Sequence, residues 1–384
     1  MPRFFIGDLL TGRRIQNLNV LSGSWTTTLN SAGSISCTVS LRDPINRELG
    51  LAELAAVGKS FLACAEGKTI LNAGPLWVHD FDDDAQTLSF TAAGMWSYFD
   101  HRVLLPVLAG RLPTDPTTNT RWTKVSVDPD DPWPTDTSKS YQGMVRGLVA
   151  QAQLETGGNV PVILPAEIPG SFERNYVGAD VAMVGERIRQ LTQVENGPDV
   201  RFPARFTSDM LGVEWPLLIG TPTQPLLFSP IDVTFRPSAN KSSVSKLKVN
   251  VDGTNILNRG FASGGRQSGE SVVAVATSTA LLTAGFPALD GVDTSHQTIS
   301  KDETVAAYAN ELVLRGSKPI QKWSFTHNVS QEPFLGSFSE GDFANVRMHD
   351  NPYVTDGTHR MRITQISGDH TGKSVDLTFQ PEVL

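Results

Sequence analysis

Polar and apolar residues alternate through most of the first hundred positions, the two-residue period of half-buried strands. The stretch RFFIGDLLTGRRIQNL predicts a hairpin turning at Thr11-Gly12, and SWTTTLNSAGSISCTVSL predicts a second turning at Asn30-Ser31-Ala32-Gly33. In the second, Trp25, Thr27 and Leu29 share a face on one arm, and Ile35, Cys37, Val39 and Leu41 share a face on the other. A short helix over 47–57 precedes strands over 60–65 and 69–72, which Glu66-Gly67 joins. Then comes LWVHDFDDDAQTLSF. Trp77, His79 and Phe81 alternate on its first arm, Leu88 and Phe90 on its second, and 82–86 lie between. A histidine beside four aspartates has three readings: a metal site, an acid–base pair, or a turn. Aspartate suits a turn because its carboxylate accepts local backbone N–H groups. An EF-hand needs D-x-[DN]-x-[DN]-G and a glutamate at its twelfth position, and neither is present. The turn is the reading carried forward, with His79 a strand residue.

The pattern then changes. The stretch 111–139 is rich in Pro, Thr and Asp and reads as a long loop. Helical spacing follows, with Tyr141, Met144, Val145, Leu148, Val149 and Ala152 on one face and Gly157-Gly158 ending the run. A second helix is predicted from Asp180 as N-cap, with Val181, Val184, Ile188 and Leu191 in register and Gly197-Pro198 as its stop. VRFPARF reads as a strand, and GFASGGRQSGES as a mobile or tightly turned segment. Ser300 and Glu303 form the S-x-x-E capping box of a third helix. Its apolar stripe is Val305, Tyr308, Ala309 and Leu312, and Gly316 and Pro319 close it. Strands return at KWSFTHNV, FANVRM, HRMRITQI and SVDLTFQ.

The two ends of the chain echo each other. Gly58-Lys59-Ser60-Phe61 opens a strand, and the hairpin after it ends in TLSFTA; Gly341-Asp342-Phe343 opens another, and its hairpin ends in VDLTFQP. The turns are DDDAQ and GDHTGK. Two copies of one small β-barrel would leave this mark, and so would the chance likeness of two hairpins.

Bulk properties exclude more than they assign. A chain of 384 residues holds roughly two to four domains. Its net charge of −8 lacks the basic excess of a duplex-binding face. Two cysteines, Cys37 and Cys64, are too few for an extracellular disulfide scaffold of this size, so synthesis in a reducing cytosol is expected. Cys37 alternates with Ile35 and Val39 and reads as a small buried hydrophobe. MPRFFIGDLLTGRR lacks the layout of a signal peptide, and no apolar run approaches the ~18 residues of a membrane-spanning helix.

Chemistry is equally sparse. His79, His101, His296, His327, His349, His359 and His370 form no H-E-x-x-H, H-x-H or Cys/His grouping. Gly260-Phe261-Ala262-Ser263-Gly264 has its serine one place late for a nucleophile elbow. Neither a Walker loop nor G-x-G-x-x-G after a strand occurs. Asp100-His101-Arg102 reads as a salt bridge at a domain edge, and the acidic stretch 128–136 as a solvated loop and not a glycosidase pair. No catalytic, cofactor-binding or metal residue is assigned, and no enzyme is expected. Trp25, Trp77, Trp96, Trp122, Trp133 and Trp215 suggest a carbohydrate- or receptor-binding face, against which stands the usual core role of tryptophan.

Five segments carry a resemblance to a known family. They are GPLWVHDFDDDAQTLSFTAAGMWSYFDHR, GERIRQLTQVENGPDVRF, GFPALDGVDTSHQTISKDETVAAYANELVLRGSKPIQKW, LGSFSEGDFANVRM and HRMRITQISGDHTGKSVDLTFQPE. In this order, over most of the chain, they resemble the tail hub proteins of long-tailed bacteriophages, the baseplate hub-like minor tail proteins. The resemblance implies an α+β, β-rich fold in which two similar small β-barrel domains flank α/β middle domains, assembling as a ring. It implies an N-terminal β-barrel domain at 1–100 and a middle α/β domain at 101–239 with the Pro/Asp-rich loop 111–139. The C-terminal β-barrel domain falls at 240–384, with a helix-containing insertion at about 254–318.

The function it implies is a structural hub of the virion. Three chains would present six barrels, adapting a sixfold tail tube and distal tail ring to a threefold central fibre or spike and forming part of the DNA ejection channel. Its implied partners are two further copies of itself (a homotrimer), the distal tail protein ring, the tape-measure protein, and central fibre or tail-tip proteins. DNA is met only in transit, and the chain inserts in no membrane. The location is the distal end of the tail, after synthesis in the host cytoplasm. No catalytic residue and no cofactor come with the resemblance. The alternatives are a receptor- or carbohydrate-binding tail module and a tail-associated cell-wall hydrolase. No lysin or fibre pattern is read toward residue 384, so those tasks are expected of other chains.

Overall fold

The computed structural model describes residues 1–104, 135–154, 156–176, 181–194, 196–239, 242–267, 270–294 and 302–381. They form two compact units, one of Met1–Leu247 with Ser324–Leu384 and one of Lys248–Trp323. The first unit opens with β1 (Arg3–Asp8), β2 (Arg14–Leu18), β3 (Val20–Thr28), β4 (Ser34–Ser40), β5 (Ser60–Glu66), β6 (Thr69–Asp82) and β7 (Thr87–Ala92). Short helices α1 (Pro44–Glu48), α2 (Leu51–Leu54) and α3 (Trp96–Phe99) lie among and after them. Its middle holds β8 (Thr135–Lys139), α4 (Tyr141–Leu154), β9 (Val162–Ile163), β10 (Phe172–Asn175), α5 (Val184–Thr192), β11 (Val200–Arg201), β12 (Arg205–Phe206), β13 (Val213–Pro216) and β14 (Leu218–Ile219). After β15 (Val233–Phe235), β16 (Val244–Asp252) leads into the second unit. That unit contains β17 (Arg259–Gln267), β18 (Glu270–Thr277), α6 (Thr279–Thr283), β19 (Asp290–Asp293) and α7 (Asp302–Arg315). The chain returns through β20 (Ile320–Asn328), β21 (Phe343–Met348), β22 (Gly357–Asp369) and β23 (Ser374–Pro381).

Among the described residues, thirteen strands make one sheet in the order β16-β20-β23-β22-β3-β4-β7-β6-β5-β1-β2, with β21 on β22 and β15 on β21. The same pairing order occurs twice in it. The first copy runs β3-β4-β7-β6-β5, and the second runs β16-β20-β23-β22-β21. In each, the fourth of the five strands in chain order is long and changes partner along its length. β6 pairs with β5 up to Pro75 and with β7 from Leu76, with a register shift between Leu76 and Val78. β22 pairs with β21 up to Arg362 and with β23 from Met361, with a shift between Ile363 and Gln365. A shift of this kind bends a strand and lets it serve two neighbours.

The changeover in β6 explains one departure from the sequence reading. The sequence reading ends a strand at 72 and begins the next arm at Leu76, on either side of a proline that lacks the N–H a ladder needs. Here it sits where β6 leaves one partner for the next. A side chain on Gly74 would stand 2.0 Å from the Ala93 carbonyl oxygen, so only glycine admits that approach. The segment is therefore one strand, not a strand at 69–72 and a separate hairpin arm.

Apolar clusters fill the first unit. Phe5, Phe61, Trp96 and Phe99 meet Met144, Val145 and Leu148 of α4, Val184, Ile188 and Leu191 of α5, and Trp215 of β13. Trp215 is fully buried; its Nε1–H donates to the Ala73 carbonyl at 3.0 Å, and its ring meets Phe61 edge-on at 5.4 Å. On the C-terminal side Phe235, Phe325 and Phe379 stack and tilt at 4.7 to 5.9 Å between centroids. In the second unit, Val305, Ala309 and Val313 of α7 pack on Leu257, Ala262 and Ala276.

Several local expectations are corrected. VRFPARF is broken into β11 and β12 at Pro203. The Gly/Ser-rich segment, read as mobile or tightly turned, is mostly strand: β17 and β18 pair antiparallel through it. Its Gly260 lies where a side chain would stand 2.8 Å from the Ala309 carbonyl oxygen, so glycine there serves close helix–strand packing. The helix expected from Asp180 starts at Val184; Val181 precedes it at φ +47°, and Asp180 lies outside the described residues. The expected helix over 47–57 is two short turns, α1 and α2, separated by Gly50 at φ +58°. Ser300 and most of the loop 111–139 lie outside the described residues, while 135–139 form β8.

Both cysteines are free and buried. Burial pushes the Cys37 thiol up to about 12 and raises that of Cys64 as well. A thiol-specific reagent at pH 8 is therefore expected to label neither in the native protein and both after denaturation, since only the thiolate reacts. His327 is wholly buried, with Nε2–H donating to the Pro333 carbonyl at 2.9 Å, and burial holds its pKa below the ordinary value of 6.5. The unfolded chain then takes up this proton at a higher pH than the folded one. Stability must fall as pH drops through about 6.5 and level off below the folded-state pKa. His327→Phe, beside Phe235 and Phe338, is expected to make the loss of melting temperature between pH 7 and 5 shallower.

Candidate functional site

The histidine–aspartate stretch folds as a turn. β6 and β7 pair with His79 opposite Phe90 and Phe81 opposite Leu88. Asp82 Oδ1 accepts the Ala85 N–H at 2.9 Å, and Gln86, at φ +54°, donates from Nε2 to the Asp83 carbonyl at 2.6 Å. The Arg42 guanidinium donates to the Asp84 carbonyl at 3.3 Å. The Asp82 carboxylate therefore holds backbone, and all four aspartates face solvent. Among the described residues, no group of three or more His, Cys, Asp or Glu side chains is placed to hold a metal.

Other flagged residues scatter. Asp100 pairs with Arg189 at 3.2 Å, Arg102 donates to the Ala152 carbonyl at 3.0 Å, and His101 lies against Trp77 at 4.3 Å between ring centroids. The triplet thus ties α3 to α4, α5 and β6. Ser263 is a strand residue opposite Val273. Trp25, Trp96 and Trp215 are buried, and Trp77 is half-buried with Nε1–H on Ser97 Oγ at 2.9 Å. Trp122, Trp133, His296 and 128–134 lie outside the described residues.

What the structure does bring together is the seam between the two pairing copies. β22 and β3 run antiparallel, Gln365 opposite Thr28 through Asp369 opposite Ser24. Leu29 N–H on the Thr364 carbonyl at 2.9 Å and His370 N–H on the Gly23 carbonyl at 2.8 Å extend the ladder. A polar cluster pins the seam. Asp199, 3% exposed, accepts from the Arg362 guanidinium, from Asn30 Nδ2 at 3.0 Å and from the Leu227 N–H at 2.7 Å. Asn30 returns its carbonyl oxygen to the Val200 N–H at 2.8 Å, and Arg362 Nε also donates to the Gly341 carbonyl at 3.0 Å. Beside it, Arg201 meets Glu340 at 2.7 Å, and Asp342 caps the N–H groups of Ser229 and Ser339 at 2.6 and 2.7 Å.

Sequence reasoning missed Asp199, Arg201, Glu340 and Arg362. On a two-residue period, Arg362 between Met361 and Ile363 belongs on a wet face. Its face is covered instead by the middle of the unit, which no local pattern announces. A cleft of about 240 Å³ opens beside this cluster, lined in part by Trp25, Trp96, Arg201 and Glu340. Its charged pair is neutralised internally.

No protein-family model matches the chain, and no curated protein matches it. Solved structures do. The 43 kDa tail protein of prophage MuSo2 from Shewanella oneidensis is similar with a TM-score of 0.54 at 11% identity, over 98% of each chain. The tail protein from Neisseria meningitidis MC58 gives 0.54 at 9%, over 99% of this chain and 97% of that one. Prophage tail protein gp18 from Listeria monocytogenes EGD-e gives 0.50 at 11%, over 98% and 94%. The chain thus has, along its length, the β-rich fold of phage tail proteins, the class to which the resemblance in its sequence points. At such identities the likeness is one of fold.

The seam makes a direct energetic prediction. Arg362→Ala leaves the Asp199 carboxylate buried without its cation, at a cost of roughly 3–5 kcal/mol. Asp199→Asn with Arg362→Met removes both charges and is expected to recover part of that loss in urea unfolding.

Proposed function

We propose that this chain is the structural hub of a bacteriophage tail, with three copies closing into a ring. The observation that carries the reading is the duplicated pairing order, β3-β4-β7-β6-β5 and β16-β20-β23-β22-β21, joined at β22 and β3. Three chains hold six such copies. One ring can then meet a sixfold tube on one side and a threefold fibre on the other. The full-length likeness in fold to prophage tail proteins supports a place in the tail.

In this reading, 1–100 and the strands of 240–384 are two similar small β-barrels, 101–239 is the middle domain, and the second unit is the insertion in the C-terminal barrel. The distal tail ring lies above, the tape-measure protein ends within, the central fibre attaches below, and DNA passes through the lumen. An obligate ring contact buries more than about 2,000 Å². The chain supplies scaffold and not catalysis, and its buried tryptophans Trp25, Trp96 and Trp215 are withheld from any glycan.

Gold-labelled antibodies against this chain, applied to intact particles of the phage that encodes it, test the reading. Label confined to the distal tail tip is expected. Label along the whole tail, or none on particles, overturns it.

A further inference from the structure

The cleft beside the seam is the deep end of a longer groove. It holds about 240 Å³, and a larger hollow of about 600 Å³ adjoins it, with Thr69, Leu71 and Leu335 lining both. Trp25 and Thr27 of β3, Trp96 of α3, Arg201 of β11, and Phe338 and Glu340 between β20 and β21 line the deep end. Distant parts of the chain thus meet there, and every one of these residues belongs to the first unit.

Its polar groups are not all spent. Trp96 is 2% exposed, and its Nε1–H is buried with no hydrogen-bond partner among the described residues. The Thr27 hydroxyl is buried and unpartnered in the same way. Buried donors of this kind call for an acceptor at the site. The side chains of Arg201 and Glu340 are 13% and 11% exposed. One hydrogen bond, Nε–H to Oε1 at 2.7 Å, joins them, and among the described residues neither side chain makes another. The guanidinium therefore keeps donors to give, and the carboxylate keeps an acceptor. A carboxylate entering the cleft would meet Glu340, and an ammonium would meet Arg201. A neutral amide suits both: its oxygen accepts from Arg201 or Trp96, and its N–H donates to Glu340. The aromatic walls suit an apolar side chain beside that amide. The larger hollow carries Glu66 and Lys373, again of opposite sign, and the exposed Phe334.

We propose that this groove binds an extended, uncharged peptide segment of a partner protein. One large apolar side chain enters the deep cleft, the adjoining main-chain amide lies between Arg201 and Glu340, and the segment continues along the larger hollow. Main-chain hydrogen bonds supply affinity, and the apolar cleft supplies selectivity. The length of the groove favours a peptide over a single small molecule. One chain holds every group involved, so binding requires no trimer.

The test reads the indole N–H signals of the full chain by NMR with isotope-labelled tryptophan, the Trp96 signal being the one missing from Trp96→Phe. N-acetyl-leucinamide and N-acetyl-phenylalaninamide are expected to shift it saturably at roughly millimolar concentration. N-acetylleucine, an anion, and leucinamide, a cation, are expected to bind at least about tenfold more weakly. A blocked pentapeptide, one leucine between two pairs of serines, is expected to bind roughly tenfold more tightly than N-acetyl-leucinamide. Arg201→Met with Glu340→Met removes both charges together. It is expected to weaken N-acetyl-leucinamide roughly tenfold while far-UV circular dichroism stays unchanged. A Trp96 signal that no probe moves, or that all of them and N-acetylglucosamine move alike, overturns the site. Binding that gains nothing from the pentapeptide overturns the peptide assignment, and binding unchanged in the double variant overturns the role of the charged pair.

Discussion

The antiparallel ladder between β22 and β3 is the contact on which the larger unit depends. It turns two five-strand groups, far apart in the chain, into one sheet. Each ladder hydrogen bond contributes only about 0.5–1.5 kcal/mol net, so the ladder alone would be a weak hinge. The buried Asp199 carboxylate makes it a fixed joint. That one group binds Arg362 of β22, Asn30 of the β3–β4 turn and the backbone at Leu227. Three distant pieces of chain must arrive together, because a buried carboxylate with partners missing is strongly destabilising.

From that joint the two groups diverge in what they carry. The N-terminal group receives α4, α5 and β13 on its core, with Trp215 seated against Phe61 and hydrogen-bonded to Ala73. The C-terminal group is interrupted between β16 and β20, at the place in the order where the N-terminal group has the tight turn from Asn30 to Gly33. A hairpin tip tolerates such an insertion because the strands on either side still pair. The second unit then builds its own small core around α7.

Several polar residues picked out by pattern serve the fold. Asp82 caps a backbone group of the turn after His79, the Asp100-His101-Arg102 triplet ties helices to a strand, and the seam charges of Asp199 and Arg362 are used up in holding the fold.

The sequence by itself determined the local elements whose signal is periodic: both N-terminal hairpins, the buried faces of α4 and α7, and the four closing strands. It also carried the soft order of motifs that resembles phage tail hubs. Local pattern failed where a residue's role depends on something distant. The gap left between the strand at 69–72 and the arm from Leu76 is a change of partner within one strand. GFASGGRQSGES reads as a mobile or tightly turned segment and is a hairpin whose glycine makes room for a helix. Arg362 reads as a wet strand residue and is a half-buried anchor for the buried Asp199. Tertiary structure decided these, together with the meeting of β22 and β3. A two-residue period specifies which face of a strand is apolar, but not which strand will lie beside it.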